Sequence, residues 1–412
     1  MVRGWSSQCP RCGSTGPLDD GVTGCGSCGD EGIGMPMVPR REPLTDPALP
    51  GPPPAGLGAM WRWSAHLPPV GRPVSLGEGG TPFVEVDLSD VPGRLLLKDE
   101  RANPTGSFKD RLASAVVSRA RQLGAETVVA ASTGNAGLAV AAYAAAADLR
   151  AVVLASGGLP APTAAALEAF GACVLTTETS TDRWTATRIG VERLGWFPVT
   201  NYLLPPVASH PVGVHAYRTI AYEIAEALDW SVPDWVVLPV SRGDGLFGVW
   251  AGFAELVELG RTPSVPRMLA VERFPSLSDA LARDLEQPEP VTIDGPVQAR
   301  SISDPQGTAM AVHALRMSGG HAVSADDQEI RASWVRLAAR GHLTELSSAA
   351  ALCGVRSLVA TDALTDGSTV VMVCTAGPYA QQTLGEASAQ RRVEDPADAV
   401  ALEAAVAERF TS

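Results

Sequence analysis

The feature that most narrows the possible folds is the run from Leu95 to Arg111. Leu95, Leu96 and Leu97 form an apolar run of the kind that ends a buried strand, and the chain then turns at Asn103-Pro104 and Thr105-Gly106. Ser107 has the chemistry of a helix N-cap, and the residues from Phe108 onward place apolar side chains at helical spacing. Lys109 is therefore expected in the first turn of a helix. That is an unfavourable place for a structural cation, because the helix N-terminus carries positive partial charge. The same position lowers the pKa of an amine, as a lysine acting as nucleophile or base requires.

The strand–turn–helix pattern recurs. Glu126-Thr-Val-Val-Ala-Ala reads as a strand that enters the loop Ser132-Thr133-Gly134-Asn135-Ala136, and an alanine-rich helix follows. A strand from Arg150, a helix from Pro160 to Phe170 and a strand from Gly171 come next, and Cys173 is expected in the core. A buried strand from Trp235 then feeds the loop Ser241-Arg242-Gly243-Asp244-Gly245-Leu246 and another helix. Strands alternating with helices predict an α/β fold of parallel sheets covered on both faces. In such sheets, ligands bind where loops leave the carboxyl ends of strands. Backbone N–H groups at 132–136 suit a carboxylate, and those at 241–246 suit a phosphate.

The chain of 412 residues carries a net charge of -13, which argues against nucleic-acid partners and anionic membrane surfaces. No apolar run reaches the ~18 residues of a membrane helix, and the N-terminus lacks the apolar core of a signal peptide. A cytoplasmic protein is expected. Cys9, Cys12, Cys25 and Cys28 form two Cys-x-x-Cys pairs, each followed by glycine, the spacing of a closed tetrahedral Zn2+ site of structural type. The segment is too short for a core of its own, so the metal would supply most of its folding free energy. Residues 41–58 are proline-rich, from Pro43 to Pro54, and read as an extended linker. The six histidines show no metal-binding spacing and are expected mostly at the surface.

Asn103-Pro-Thr-Gly-Ser-Phe-Lys109-Asp-Arg resembles the pyridoxal-phosphate lysine motif of the threonine synthases and their fold-type II relatives, the tryptophan synthase β superfamily. Gly77-Glu78-Gly79-Gly80-Thr81-Pro82 is similar to the signature that precedes it. The resemblance covers roughly residues 75–390 and implies two α/β/α subdomains with pyridoxal 5'-phosphate in the cleft between them. It implies a Schiff base at Lys109, with Phe108 beside it. Asn135 would contact the cofactor's ring hydroxyl, and Thr81, Ser132, Thr133, Gly134 and Ala136 would bind the substrate. The cofactor phosphate falls to Ser241, Arg242, Gly243, Asp244, Gly245 and Leu246. Arg242 and Asp244 stand where relatives carry glycines or small polar residues. Arg242 is expected to pair with the phosphate, and Asp244 to face outward or pair with Arg242. Thr375 would meet the pyridine nitrogen, with Cys374 as the alternative; Ala376 replaces a family glycine. Glu345 is read equally as a residue near the cofactor and as a helix-start cap.

The expected organisation is a zinc-ribbon-like segment at 1–40, a linker or arm at 41–75 and a catalytic domain at 76–390. A small mobile subdomain would occupy about 110–220 within that domain, and a C-terminal helix 391–412. The resemblance implies a lyase or synthase acting on an amino acid, and a homodimer is an open possibility. The leading expectation is threonine synthase, converting O-phosphohomoserine and water into threonine and phosphate. A β-eliminating or β-replacing relative is the second, of the serine, threonine or diaminopropionate ammonia-lyase or cysteine- or cysteate-synthase kind. A catalytically retired zinc-ribbon binding protein is the third.

Overall fold

The structure, a computed structural model, describes residues 4–18, 20–42, 51–132, 134–293, 295–378, 391–392, 395 and 397–410. Its larger sheet has six strands in the order His321–Ser324, Arg267–Glu272, Trp235–Pro239, Thr369–Cys374, Arg94–Asp99 and Phe83–Glu85. All neighbours are parallel except the last pair. The smaller sheet is parallel throughout, in the order Arg391–Arg392, Cys173–Thr177, Arg150–Ser156, Thr127–Ala131 and Phe197–Pro198. Central strands such as Trp235–Pro239 and Thr127–Ala131 are buried on both faces, which is why they read as unbroken apolar runs rather than alternating ones.

Register sets the site. Thr369–Cys374 pairs with Arg94–Asp99 from Thr369↔Arg94 to Cys374↔Asp99, so both strands end at the same level. The bridge Ser107↔Ala376 then holds the turn after one strand against the loop after the other. The helix Lys109–Gln122 begins one residue later than a Ser107 cap would place it. Phe108 occupies the cap position without a side-chain cap, because Ser107 is held in that bridge. Its Oγ still accepts the Lys109 N–H at 3.3 Å.

The N-terminal segment forms an antiparallel sheet of Trp5–Gln8, Thr15–Gly16 and Val38–Arg41. It borrows a core. Ile33, Met35 and Met37 share one apolar cluster with Val207, Phe247 and Met310 of the larger body. Of the proline-rich stretch, 43–50 lie outside the described residues. Trp61 and Trp63 lie buried in the 3₁₀ helix Ala59–His66, and the Trp61 indole N–H donates to Glu78 (2.7 Å) and Ser114 (3.0 Å). The C-terminal segment starts with the edge strand Arg391–Arg392, and its helix begins at Ala399 rather than 391. Leu402 and Val406 of that helix are buried in one cluster with Cys173 and Leu175.

The histidines depart from expectation: His66, His210 and His215 are buried, and none of the six is fully exposed. Each buried ring has a polar partner that offsets its desolvation. His66 Nδ1 meets Glu255 at 3.1 Å, His215 Nε2 meets the His66 carbonyl at 2.9 Å, and His210 Nδ1 accepts the Val212 N–H at 3.2 Å.

Candidate functional site

Residues at the carboxyl ends of four parallel strands line a single cavity of about 480 Å3: Ser132, Ser156, Ser241 and Thr375. Lys109 enters it from the start of its helix. Its Nζ lies 4.4 Å from the centroid of the Phe108 ring, which stacks on Tyr217 at 4.9 Å. The amine makes no hydrogen bond among the described residues. Burial lowers its pKa; Asp244 and Asp304 pull it back up, and Arg242 pushes it further down. An amine that is desolvated, unpaired and poised for the neutral form is a nucleophile and a base.

Two residues further along the same helix, Arg111 anchors a buried ionic cluster. The Arg111 guanidinium, fully buried, donates to Glu100 (2.7 and 2.8 Å) and to Glu223 (2.7 and 2.8 Å). Lys98 Nζ completes the cluster at 2.7 Å from Glu223. The Thr81 hydroxyl donates to Glu100 at 2.6 Å and does not line the cavity. The sequence expectation of substrate contact at Thr81 is therefore corrected: its one O–H is already spent on a buried carboxylate.

Across the cavity, Asn135 Nδ2 donates to Glu345 at 2.5 Å, and Ser301 donates to the other oxygen of the same carboxylate. Burial raises the Glu345 pKa against those hydrogen bonds. Glu345 holds the N-cap place of Leu346–Ala360 but makes no side-chain cap bond, so it serves the cavity rather than its own helix. Thr375 Oγ1 lies 2.8 Å from Ser348 Oγ, which accepts the Ala376 N–H at 2.8 Å. Cys374 is buried and absent from the lining, which leaves Thr375 as the hydroxyl at this wall. Ser132, Gly134 and Ala136 line the cavity beside Asn135; Thr133 lies outside the described residues.

The loop Ser241–Leu246 also faces the cavity and feeds the helix Asp244–Glu258, whose first-turn N–H groups have no intrahelical acceptor. Gly243 has φ 105°, and a Cβ there would sit 2.3 Å from the Ala311 Cβ. A Cβ on Gly245 would sit 2.6 Å from the Phe108 ring. The charged residues of this loop differ from expectation. Asp244 is buried and accepts from the Ser209 hydroxyl (2.6 Å) and N–H (3.3 Å), neither facing outward nor pairing with Arg242. Arg242 pairs with Asp304 at 3.2 Å and stacks 4.3 Å over the Trp184 ring. Burial pushes the Asp304 carboxyl up, but Arg242 and Arg183 overcome it and hold it at about 2. The reason is topological: the loop ending at Asp304 arrives beside Arg242 from far along the chain.

Arg183, Ser156 and Ser180 also line the cavity, and the sequence reading missed them. Ser156 ends a parallel strand, so the strand-end rule alone would have found it. Arg183 is an ordinary helix residue with no signal in its neighbours.

A second site lies at the N-terminus. Cys9 and Cys28 Sγ atoms are 3.6 Å apart, those of Cys12 and Cys25 are 3.5 Å apart, and all four fall within 4.8 Å of one another. Thiolates around a tetrahedral zinc lie about 3.8 Å apart, so the set has the spread of a metal site.

A family model described as pyridoxal-phosphate dependent enzyme matches residues 74–376. The threonine synthase of Methanosarcina acetivorans is 36% identical over 329 residues, covering 77% of this chain and 79% of the relative. That of Methanocaldococcus jannaschii is 31% identical, over 85% and 87% respectively. Among solved structures, a fungal L-serine ammonia-lyase from Rhizomucor miehei superposes with a TM-score of 0.63 at 21% identity, over 74% of this chain and 95% of that one.

Proposed function

Because the chain belongs to the pyridoxal-phosphate dependent enzyme family, we propose that it acts as a threonine synthase, converting O-phosphohomoserine and water into threonine and phosphate. The observation that carries this reading is the Lys109 amine, desolvated and without a hydrogen bond among the described residues, in a cleft walled by Asn135 and Thr375. Two glycines support the fit of the cofactor: without a Cβ, Gly243 and Gly245 pack directly against Ala311 and Phe108, and this brings the start of the helix Asp244–Glu258 to the cavity wall, as a phosphate seat needs.

When bound, pyridoxal phosphate supplies an electron sink for cleavage of a bond to the substrate's α-carbon. The chain's own residues do the rest. Lys109 would hold the cofactor through Nζ, and as a free amine the same atom would take the α-proton and return it where the product needs it. The Ser132 hydroxyl and the Ala136 amide at the helix start orient the α-carboxylate, the Ser132 N–H being given to the Leu154 carbonyl at 2.8 Å, and the amides at 243–246 fix the cofactor phosphate. Asn135, held by Glu345, presents its amide toward the cofactor ring. The Thr375 hydroxyl, 2.8 Å from Ser348, would meet the ring nitrogen of the bound cofactor without protonating it, which would favour elimination and replacement over transamination. Burial around Lys109 and Glu345 excludes water until the step that consumes it.

The test is the product. Purified enzyme given O-phosphohomoserine is expected to release phosphate and threonine in equal amounts. Ammonia and a 2-oxo acid from serine or threonine, with no threonine made from O-phosphohomoserine, would replace this reading with that of a lyase.

We also assign Cys9, Cys12, Cys25 and Cys28 to a structural zinc. Metal analysis is expected to find one zinc per chain, lost in Cys28→Ser. Because the segment's core is shared with Phe247 and Met310, zinc loss should lower the melting temperature of the whole protein by several degrees. An unchanged melting temperature after complete chelation would rule that role out.

A further inference from the structure

Arg183 lies on the helix Ser180–Leu194 and faces the cavity that Lys109 enters. It is only 6% exposed, its Nε has no hydrogen-bond partner, and its guanidinium forms no ion pair among the described residues. Desolvation lowers its pKa to about 10; Asp304 opposes that, and Arg242 adds to it. Asp304, the nearby carboxylate, is already engaged by Arg242 at 3.2 Å and by the Ser241 hydroxyl at 2.7 Å. Two guanidiniums thus share one carboxylate. A buried, uncompensated cation is costly to keep, and its retention calls for a counter-charge that arrives with a ligand.

The topology says which ligand. The carboxylate loop 132–136 leaves the strand Thr127–Ala131. The neighbouring strand Arg150–Ser156 ends at Ser156, and the next, Cys173–Thr177, leads into Ser180 and Arg183. Ser156 and Ser180, with hydroxyl oxygens 3.4 Å apart, line the cavity between the two ends of this row. Adjacent strands are about 4.8 Å apart, so the row runs roughly 10 Å from the carboxylate loop to the helix that bears Arg183. That is the span of an amino acid with a charged group at the end of its side chain plus a reaching arginine. The cofactor phosphate has a different seat, at the start of the helix Asp244–Glu258 on the larger sheet.

We propose that Arg183 is the receptor for an anionic group, in the first instance a phosphate monoester, at the far end of the substrate's side chain. It thereby sets which amino acids the enzyme accepts. The proposal rests on the reading above for the direction in which the amino acid lies.

The experiment uses the full chain loaded with pyridoxal phosphate and titrates it with inorganic phosphate, read by calorimetry, in the wild type, Arg183→Gln and Arg183→Lys. Phosphate is expected to bind the wild type, about tenfold or more weakly to Arg183→Gln, and with intermediate affinity to Arg183→Lys. Cofactor affinity should stay within about twofold, and the ligand-free melting temperature of Arg183→Gln should hold or rise, because an unpaired buried charge has been removed. With O-phosphohomoserine, KM should rise about tenfold or more while kcat changes little. Absent phosphate binding in the wild type, or equal binding in Arg183→Gln, overturns the proposal. So does a tenfold loss of cofactor affinity, which would assign the arginine to the cofactor's phosphate. A lower melting temperature with unchanged phosphate binding overturns it as well, by marking a structural role. Loss of phosphate binding in Arg183→Gln by an enzyme that makes no threonine keeps this subsite and discards threonine synthase; threonine formation with an unchanged KM in Arg183→Gln does the reverse.

Discussion

Lys109→Ala is expected to lower kcat by about 10⁴-fold or more and to abolish the visible absorbance near about 410–420 nm that marks cofactor joined to the enzyme's amine. The size follows from two losses at one atom. Nζ is both the point of covalent attachment and the base, and no other amine among the described residues lines the cavity. Ligand-free stability should change little, because the amine makes no hydrogen bond among the described residues and removing it leaves no donor or acceptor stranded. The two readings together discriminate: lost turnover with an unshifted melting temperature is chemical, not structural. Burial lowers the pKa of Nζ, so attachment should persist to a lower pH than an exposed lysine would allow. Retention of the absorbance band in Lys109→Ala would overturn the assignment of the whole cleft.

Arg111→Leu is expected to cost about 3–5 kcal/mol of stability, the largest effect of any single change outside the cavity. The guanidinium is completely buried between Glu100 and Glu223. Burial pushes both carboxyls up; Arg111 and Lys98 overcome it and hold both below the usual carboxylate range. Without Arg111, Lys98 is left facing two carboxylates. The pH dependence carries a signature. In the wild type the folded pKa values are depressed, so this contribution is full above about pH 4.5 and is lost as the pH falls through the folded values. In Arg111→Leu desolvation dominates and the carboxyl pKa values rise, so the variant should lose stability as the pH rises toward neutrality. Thermal melts at pH 5 and pH 8 would show it: a deficit no larger at pH 8 than at pH 5 contradicts this account. Lys109 lies two residues before Arg111 on the same helix, so cofactor affinity should fall as well.

Much of this was legible from local chemistry. Leucine and valine runs bounded by turn residues specified the strands, because a parallel strand must be apolar on both faces. The turn Asn103–Gly106 and the helical spacing after it put Lys109 at a helix start, and the Cys-x-x-Cys pairs marked four sulfurs that do converge. These features depend on neighbours within a few residues, and a sequence displays those.

Pairing across long separations was not legible. Asp244 sits two residues from Arg242, yet it is held by Ser209, while Arg242 takes Asp304 from 62 residues away. Nothing in the 241–246 loop encodes which carboxylate arrives. The buried histidines were misjudged for the same reason, since His66 is tolerable inside only because Glu255 meets it there. Thr81 had the right motif, but its hydroxyl was taken by Glu100. Arg183 became visible as a cavity residue only when two sheets brought their strand ends together. The sequence by itself determined the elements, the lysine at the helix start and the four sulfurs, because those follow from local spacing and turn chemistry. The tertiary structure alone decided which charges compensate one another and which is left facing the cleft, because Coulomb and desolvation energies depend on distance through space rather than along the chain.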